Sequence, residues 1–254
     1  VFGSGEPVGA LGDLLAAVLN QNVTSWRSAP AAVSIEKSVV GWLAEAVGCN
    51  GFEGSLCGGG SAANMMALAI AREAKAPANE TGAQLSCMVY ASEQVHMSVP
   101  KAIALLGIGR KNLRLIPVDD NFQMRWDALE AAIAADLRAG LAPIAIVATA
   151  GTVNTGSIDP LRKIAEIARR ENLWCHVDGA FGGLAALAVP EKFLGLSSAD
   201  SLSLDTHKWL YQPVDCGCLL YRDRQAARKT FSHTGDYIKV FSEDATESFV
   251  FFEE

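Results

Sequence analysis

The chain has 254 residues, half of them hydrophobic, with 28 acidic against 21 basic side chains and a net charge of −7. That composition is too apolar for a disordered chain. Its acidic balance, with no Lys/Arg block, leaves no electrostatic footprint for nucleic acid or an anionic membrane surface. No run of about 18 apolar residues is present to span a bilayer, and no basic-then-apolar leader is visible at the start. The length suits one large α/β domain or two small ones. A start at Val1 and an end at Phe251-Phe252-Glu253-Glu254 suggest a piece of a longer protein.

In chain order, helical periodicity predicts helices over Ile35–Val47 and Ala62–Lys75. After about residue 85 the pattern alternates. Predicted strands are Cys87–Ala91, Leu113–Val118, Ile144–Ala150, Leu173–Val177, Ser201–Leu204 and Gly217–Tyr221. Predicted helices between them are Ser98–Leu106, Trp126–Arg138 and Pro160–Arg170. Strands alternating with helices imply crossover connections, so the fold class is α/β with a largely parallel sheet covered on both faces. The stretch 77–82 (Pro-Ala-Asn-Glu-Thr-Gly) reads as a loop. The six cysteines sit in apolar, strand-like surroundings. They read as buried free thiols of a reducing cytoplasm, and the lone pair Cys216-x-Cys218 lacks the second pair of a zinc site.

Four stretches carry chemistry. Gly58-Gly59-Gly60-Ser61-Ala62-Ala63-Asn64 leads into a helix. Glycines let a backbone approach an anion, and first-turn N–H groups bind it. The run lacks the Lys-Ser/Thr of a Walker loop and the spacing of a dinucleotide fingerprint. On its own it fits a flexible turn equally well. Trp174-Cys175-His176-Val177-Asp178 places an acid at a strand end, where open parallel sheets bind ligands; a helix-capping Asp is the alternative. In Asp205-Thr206-His207-Lys208-Trp209, a desolvated Lys could form a Schiff base with a carbonyl. A surface Lys lying over Trp209 fits as well. His96, in Ser92-Glu93-Gln94-Val95-His96, follows another strand; taken alone it is a polar residue with its bonds satisfied. Together, a phosphate cradle, a strand-end acid and a Lys meet the needs of pyridoxal 5′-phosphate: N–H donors, a carboxylate for the ring nitrogen and an amine for the aldehyde.

The chain resembles the group II pyridoxal-phosphate-dependent amino acid decarboxylases, the family of aromatic-L-amino-acid, glutamate and histidine decarboxylases. The matching residues run in order from Trp26-x-x-Ala29-Pro30-Ala31 and Glu36 through Gly58–Asn64 and Ser92-x-x-x-His96. They continue through Thr149-Ala150-Gly151-Thr152-x-x-Thr155-Gly156-x-x-Asp159 and His176-Val177-Asp178-Gly179-Ala180 to His207-Lys208-Trp209 and Asp215-Cys216-Gly217. The resemblance implies a fold-type I large domain with a mostly parallel, mixed seven-stranded sheet. It implies a division into 1–50 as an N-terminal linker with helices, 51–240 as the cofactor-binding domain, and 241–254 as the start of a truncated C-terminal region.

For the site, the resemblance implies that Lys208 holds the cofactor and Asp178 pairs with its ring nitrogen. Ala180 and His96 lie on the two ring faces. Gly60, Ser61 and His207 bind the phosphate, Thr152 and Asp205 lie by the cofactor, and Tyr237 protonates the product carbon. No metal is expected. Tyr237 with His96 favours decarboxylation over aldehyde formation, and Trp26 with Pro30 points to an aromatic or bulky L-amino acid. A cytoplasmic homodimer is the expected whole. Two departures stand out. Asp205 replaces a frequent Asn, and its charge repels a phosphate unless it turns away or binds His207. Val153 replaces a Thr.

Overall fold

The computed structural model describes residues 5–23, 26, 28–83 and 86–232. A seven-stranded sheet forms the centre, in the order β1-β7-β6-β5-β4-β2-β3. The strands are β1 (Glu53–Cys57), β2 (Cys87–Ser92), β3 (Leu113–Ile116), β4 (Ala142–Thr149), β5 (Trp174–Asp178), β6 (Ser201–Asp205) and β7 (Gly217–Tyr221). The pairs from β6 across to β3 are parallel. β7 runs against both of its neighbours, β6 and β1. The sheet is therefore mixed, with one reversed strand.

The helices are α1 (Pro7–Leu19), α2 (Pro30–Ala46), α3 (Gly60–Lys75), α4 (Ser98–Leu105), α5 (Trp126–Arg138), α6 (Leu161–Arg170), α7 (Thr206–Trp209) and α8 (Arg224–Phe231). One apolar layer joins α2, α5 and α6 to the sheet through Leu43, Ile133 and Ile164. The other joins α3, α4 and α8 through Leu68, Ile103 and Ala227. Successive strand residues point to opposite faces. Thus Met88 and Tyr90 of β2 enter the first layer, and Val89 and Ala91 the second. β4 is apolar on both faces, as a central parallel strand must be.

Several expected boundaries move. Helix α2 starts at Pro30, not Ile35, because proline is favoured at the first helical position, where its missing N–H costs nothing. Strand β3 stops at Ile116, not Val118; Pro117 supplies no N–H, and Val118 makes only an isolated bridge to Met124. Strands β4, β5 and β6 each end on a polar residue. The sequence reading ended β5 and β6 one residue earlier and ran β4 one residue further. Strand β1 and helices α1 and α8 were not anticipated. β1 reads Glu-Gly-Ser-Leu-Cys, a short stretch whose charged, glycine and serine residues leave no apolar run. No helix among the described residues is long and apolar enough to cross a membrane.

Candidate active site

Parallel strands open at their carboxyl ends, and three of them converge there. Thr149 ends β4, Asp178 ends β5 and Asp205 ends β6. All three line one cavity of about 480 Å³. Lys208 enters it from α7, the short helix directly after β6, and Gly58–Ser61 enter at the start of α3.

The glycine run is needed for two reasons. Gly59 has φ +106°, a left-handed value that side chains disfavour. A Cβ on Gly60 would stand 2.6 Å from Ala180 Cβ and 2.9 Å from Asp205 Oδ2. No side chain caps α3, so its first-turn N–H groups face the cavity with a favourable dipole for an anion. Ser61 lies exposed in that turn.

Asp178 is buried and held from two sides. Its Oδ1 accepts the Ala180 amide at 3.1 Å and the Ser203 hydroxyl at 3.3 Å. Its Oδ2 accepts Asn64 Nδ2 at 2.9 Å. Behind it, His176 is fully buried, and desolvation pushes its pKa down to about 4, so the ring is neutral.

Lys208 Nζ meets Asp205 Oδ2 at 2.6 Å. Of the two ways out expected for Asp205, turning away or binding His207, neither is its main contact: His207 Nε2 is 3.9 Å away. Instead His207 Nδ1 meets the Cys216 backbone, 2.9 Å from its carbonyl oxygen and 3.3 Å from its amide nitrogen. One turn of α7 puts residue 208 over residue 205, whereas 207 turns towards the loop before β7. Asp205 Oδ1 and Thr149 Oγ1 are both buried and have no hydrogen-bond partner among the described residues.

His96 stands exposed on the cavity lining, beyond β2, its Nδ1 bonded by Ser98. Thr152 is buried, and its hydroxyl meets Thr155 at 2.6 Å within its own loop. Ala180 and Val153 also line the cavity. The expected residues Lys208, His96, Asp178, Gly60, Ser61, Thr152, Ala180, Asp205 and His207 are thus gathered around one space. Tyr237 lies outside the described residues.

Sequence reasoning gave no role to Asn64, Thr149, Ser98 or Ser203. A usable signal was present. On β5 and β6, the residues at alternate positions Trp174, His176, Asp178 and Ser201, Ser203, Asp205 fall on one face, where an apolar layer would be expected. No group of three or more His, Cys, Asp or Glu side chains among the described residues could hold a metal ion.

Fold and site together define a lysine-centred, anion-binding α/β domain of the kind that carries pyridoxal phosphate. The pyridoxal-dependent decarboxylase conserved domain matches residues 5–252, and the chain belongs to that family. It is 37% identical to an aromatic-L-amino-acid decarboxylase of Bacillus atrophaeus, over 94% of this chain and 50% of that protein. It is 34% identical to a phenylacetaldehyde synthase of Petunia hybrida, over 96% of this chain and 50% of that protein. The crystal structure of Oryza sativa TDC with PLP and tryptamine superposes with a TM-score of 0.85. Identity there is 30%, covering 93% of this chain and 51% of that one. The chain spans about half the length of these relatives.

The residues present fit the family's cofactor. An amine, a buried carboxylate and an uncapped helix start share the cavity with two unpartnered buried oxygens. The negative charge of Asp205 is met by Lys208.

Proposed function

We propose that this chain is the cofactor-binding part of a pyridoxal-phosphate-dependent carboxy-lyase that converts an L-amino acid, aromatic by preference, to its amine and carbon dioxide. The observation that carries the reading is the meeting of Lys208 Nζ, Asp178 and the α3 N-terminus in one cavity. Bound there, pyridoxal phosphate supplies an aldehyde for amines and an electron-accepting ring.

Each residue has a task. Lys208 Nζ would hold the cofactor through its aldehyde and release it to a substrate amine. Asp178 stands against the ring nitrogen and keeps its proton. The α3 amides, Ser61 and His207 take the phosphate, with Thr152 and Asp205 beside the cofactor. Ala180 packs on one ring face and His96 on the other. Tyr237 delivers the proton to the product carbon. For every residue but Tyr237, whose role rests on the family resemblance alone, support comes from shared cavity lining, and for Asp178 also from two hydrogen bonds that fix one of its oxygens.

The reading includes the division at residues 50 and 240, a homodimer and a reducing cytoplasm. The dimer is supported by α1, none of whose residues is buried; Leu11, Leu14, Leu15 and Val18 are exposed on it. A continuous apolar surface of that kind marks a contact with another chain. The compartment is supported by six cysteines, none of them in a disulfide among the described residues.

A second reading is oxidative, giving an aldehyde, and the Petunia relative favours it. Incubation with a panel of L-amino acids, assayed for carbon dioxide, amine and aldehyde, separates them. Amine with carbon dioxide from an aromatic substrate is the expected result. Aldehyde with peroxide overturns the first reading in favour of the second. Sedimentation tests the dimer, and Leu14→Glu with Val18→Glu should shift it to monomer.

A further inference from the structure

Beneath α3, polar side chains form a hydrogen-bonded chain. The Trp174 indole N–H can only donate, and it donates to Ser201 Oγ at 2.9 Å. The Ser201 hydroxyl proton is then available to His176 Nδ1, 2.9 Å away. His176 then carries its own proton on Nε2 and donates to Asn64 Oδ1 at 2.8 Å.

The other end gives the same answer independently. Asp178 accepts donors on Oδ1 and meets Asn64 as an acceptor on Oδ2. The Asn64 amide must therefore turn Nδ2 towards Asp178 and Oδ1 towards His176. Its second Nδ2 proton goes to Ser98 Oγ at 2.9 Å. The Ser98 hydroxyl is left to donate to His96 Nδ1, also at 2.9 Å. The Ser98 backbone N–H reaches the same nitrogen at 3.2 Å. A backbone N–H cannot accept, so His96 Nδ1 is a lone pair and the ring proton sits on Nε2.

We infer that Asn64 is a positioning residue: its amide locks His96 in the Nε2–H tautomer and ties that tautomer to the carboxylate of Asp178. The two ligand-facing groups are then set by one buried amide. His96 presents an N–H donor, attractive to a carboxylate or phenolate, where the other tautomer would present a lone pair. The neutral state of buried His176 agrees with this direction, because a doubly protonated ring would break the bond from Ser201. What His96 meets in the cavity rests on the proposed function; its tautomer does not.

The test is long-range 1H–15N spectroscopy of the cofactor-free chain labelled with 15N-histidine, with four histidines to assign. In the neutral ring, His96 and His176 should each show a protonated Nε2 and a bare Nδ1. Ser98→Ala leaves only the longer 3.2 Å backbone contact on Nδ1, so it should raise the share of the Nδ1–H form at His96 and leave His176 unchanged. Ser98→Thr, which keeps the hydroxyl, should restore the single form. Asn64→Leu should disturb both rings. Should that variant not fold, the Ser98 pair carries the test. A His96 protonated on Nδ1, or a single Nε2–H form surviving both Ser98→Ala and Asn64→Leu, overturns the inference. Because no cofactor is present, the tautomers can be as expected in a chain that then fails to retain pyridoxal phosphate. In that case the functional reading falls and the relay stands.

Discussion

The two faces of strands β5 and β6 are cut from the same short segments, and they differ in kind. Towards α2 and α6 the strands present Cys175, Val177, Leu202 and Leu204, all buried among apolar neighbours. Towards α3 they present Trp174, His176, Asp178, Ser201, Ser203 and Asp205, also buried. The first face draws its stability from area removed from water. The second draws it from hydrogen bonds that must all be made, since an unpaired buried group costs more than a made bond contributes. Along that second face the bonds are complete from Trp174 to Asp178, and two oxygens at its open edge, Thr149 Oγ1 and Asp205 Oδ1, are left over. Asp178 closes the bonded part, and the two left-over oxygens sit on the cavity wall.

The sharpest way to break this contrast is at the open edge. Lys208→Ala should lower turnover by at least ~1000-fold, about 4 kcal/mol of barrier. It also leaves the buried Asp205 carboxylate without its cation, so the melting temperature falls as well. Undiminished turnover would make Lys208 a structural residue. Next, Leu204→Ala on the apolar face should cost about 3 kcal/mol of unfolding free energy. Cofactor affinity of the folded fraction should stay level, as read by denaturant titration beside a binding curve.

The pH dependence probes the polar face. His176 has a folded-state pKa of about 4, below its ordinary value of 6.5. The unfolded chain therefore takes up a proton that the folded chain refuses, and stability is lost as pH falls from 6.5 towards 4. The loss is up to ~3 kcal/mol. Asp159, pushed up to about 6 by burial, works in the opposite sense over that window. A His176→Gln variant isolates the first effect. The difference between the two acid limbs belongs to His176, and parallel limbs would contradict the assignment. The smallest change is Ser203→Ala, which removes one 3.3 Å bond to Asp178 and should cost about 1 kcal/mol. It should also weaken cofactor retention slightly.

The apolar face was legible in the sequence, because short apolar runs and helical periods report burial directly. β7 and α5 were placed at their observed ends. The motifs were legible too, since Asp178, Lys208 and the glycine run each carry a distinct chemistry. The wiring between them was not. Asn64 is an unremarkable fifth residue of a helix, and only the packing of α3 over β5 brings it to Asp178, 114 positions away. The pairing of Asp205 with Lys208 rather than His207 likewise depends on one turn of α7, a helix too short to carry a periodic signal.

The central claim is that Lys208 holds the cofactor. Loading the chain with pyridoxal phosphate, reducing with borohydride and mapping the modified peptide tests it directly. The account predicts a stable pyridoxyl group on Lys208, absent from Lys208→Ala. A pyridoxyl group on another lysine, or undiminished labelling of the variant, would contradict it.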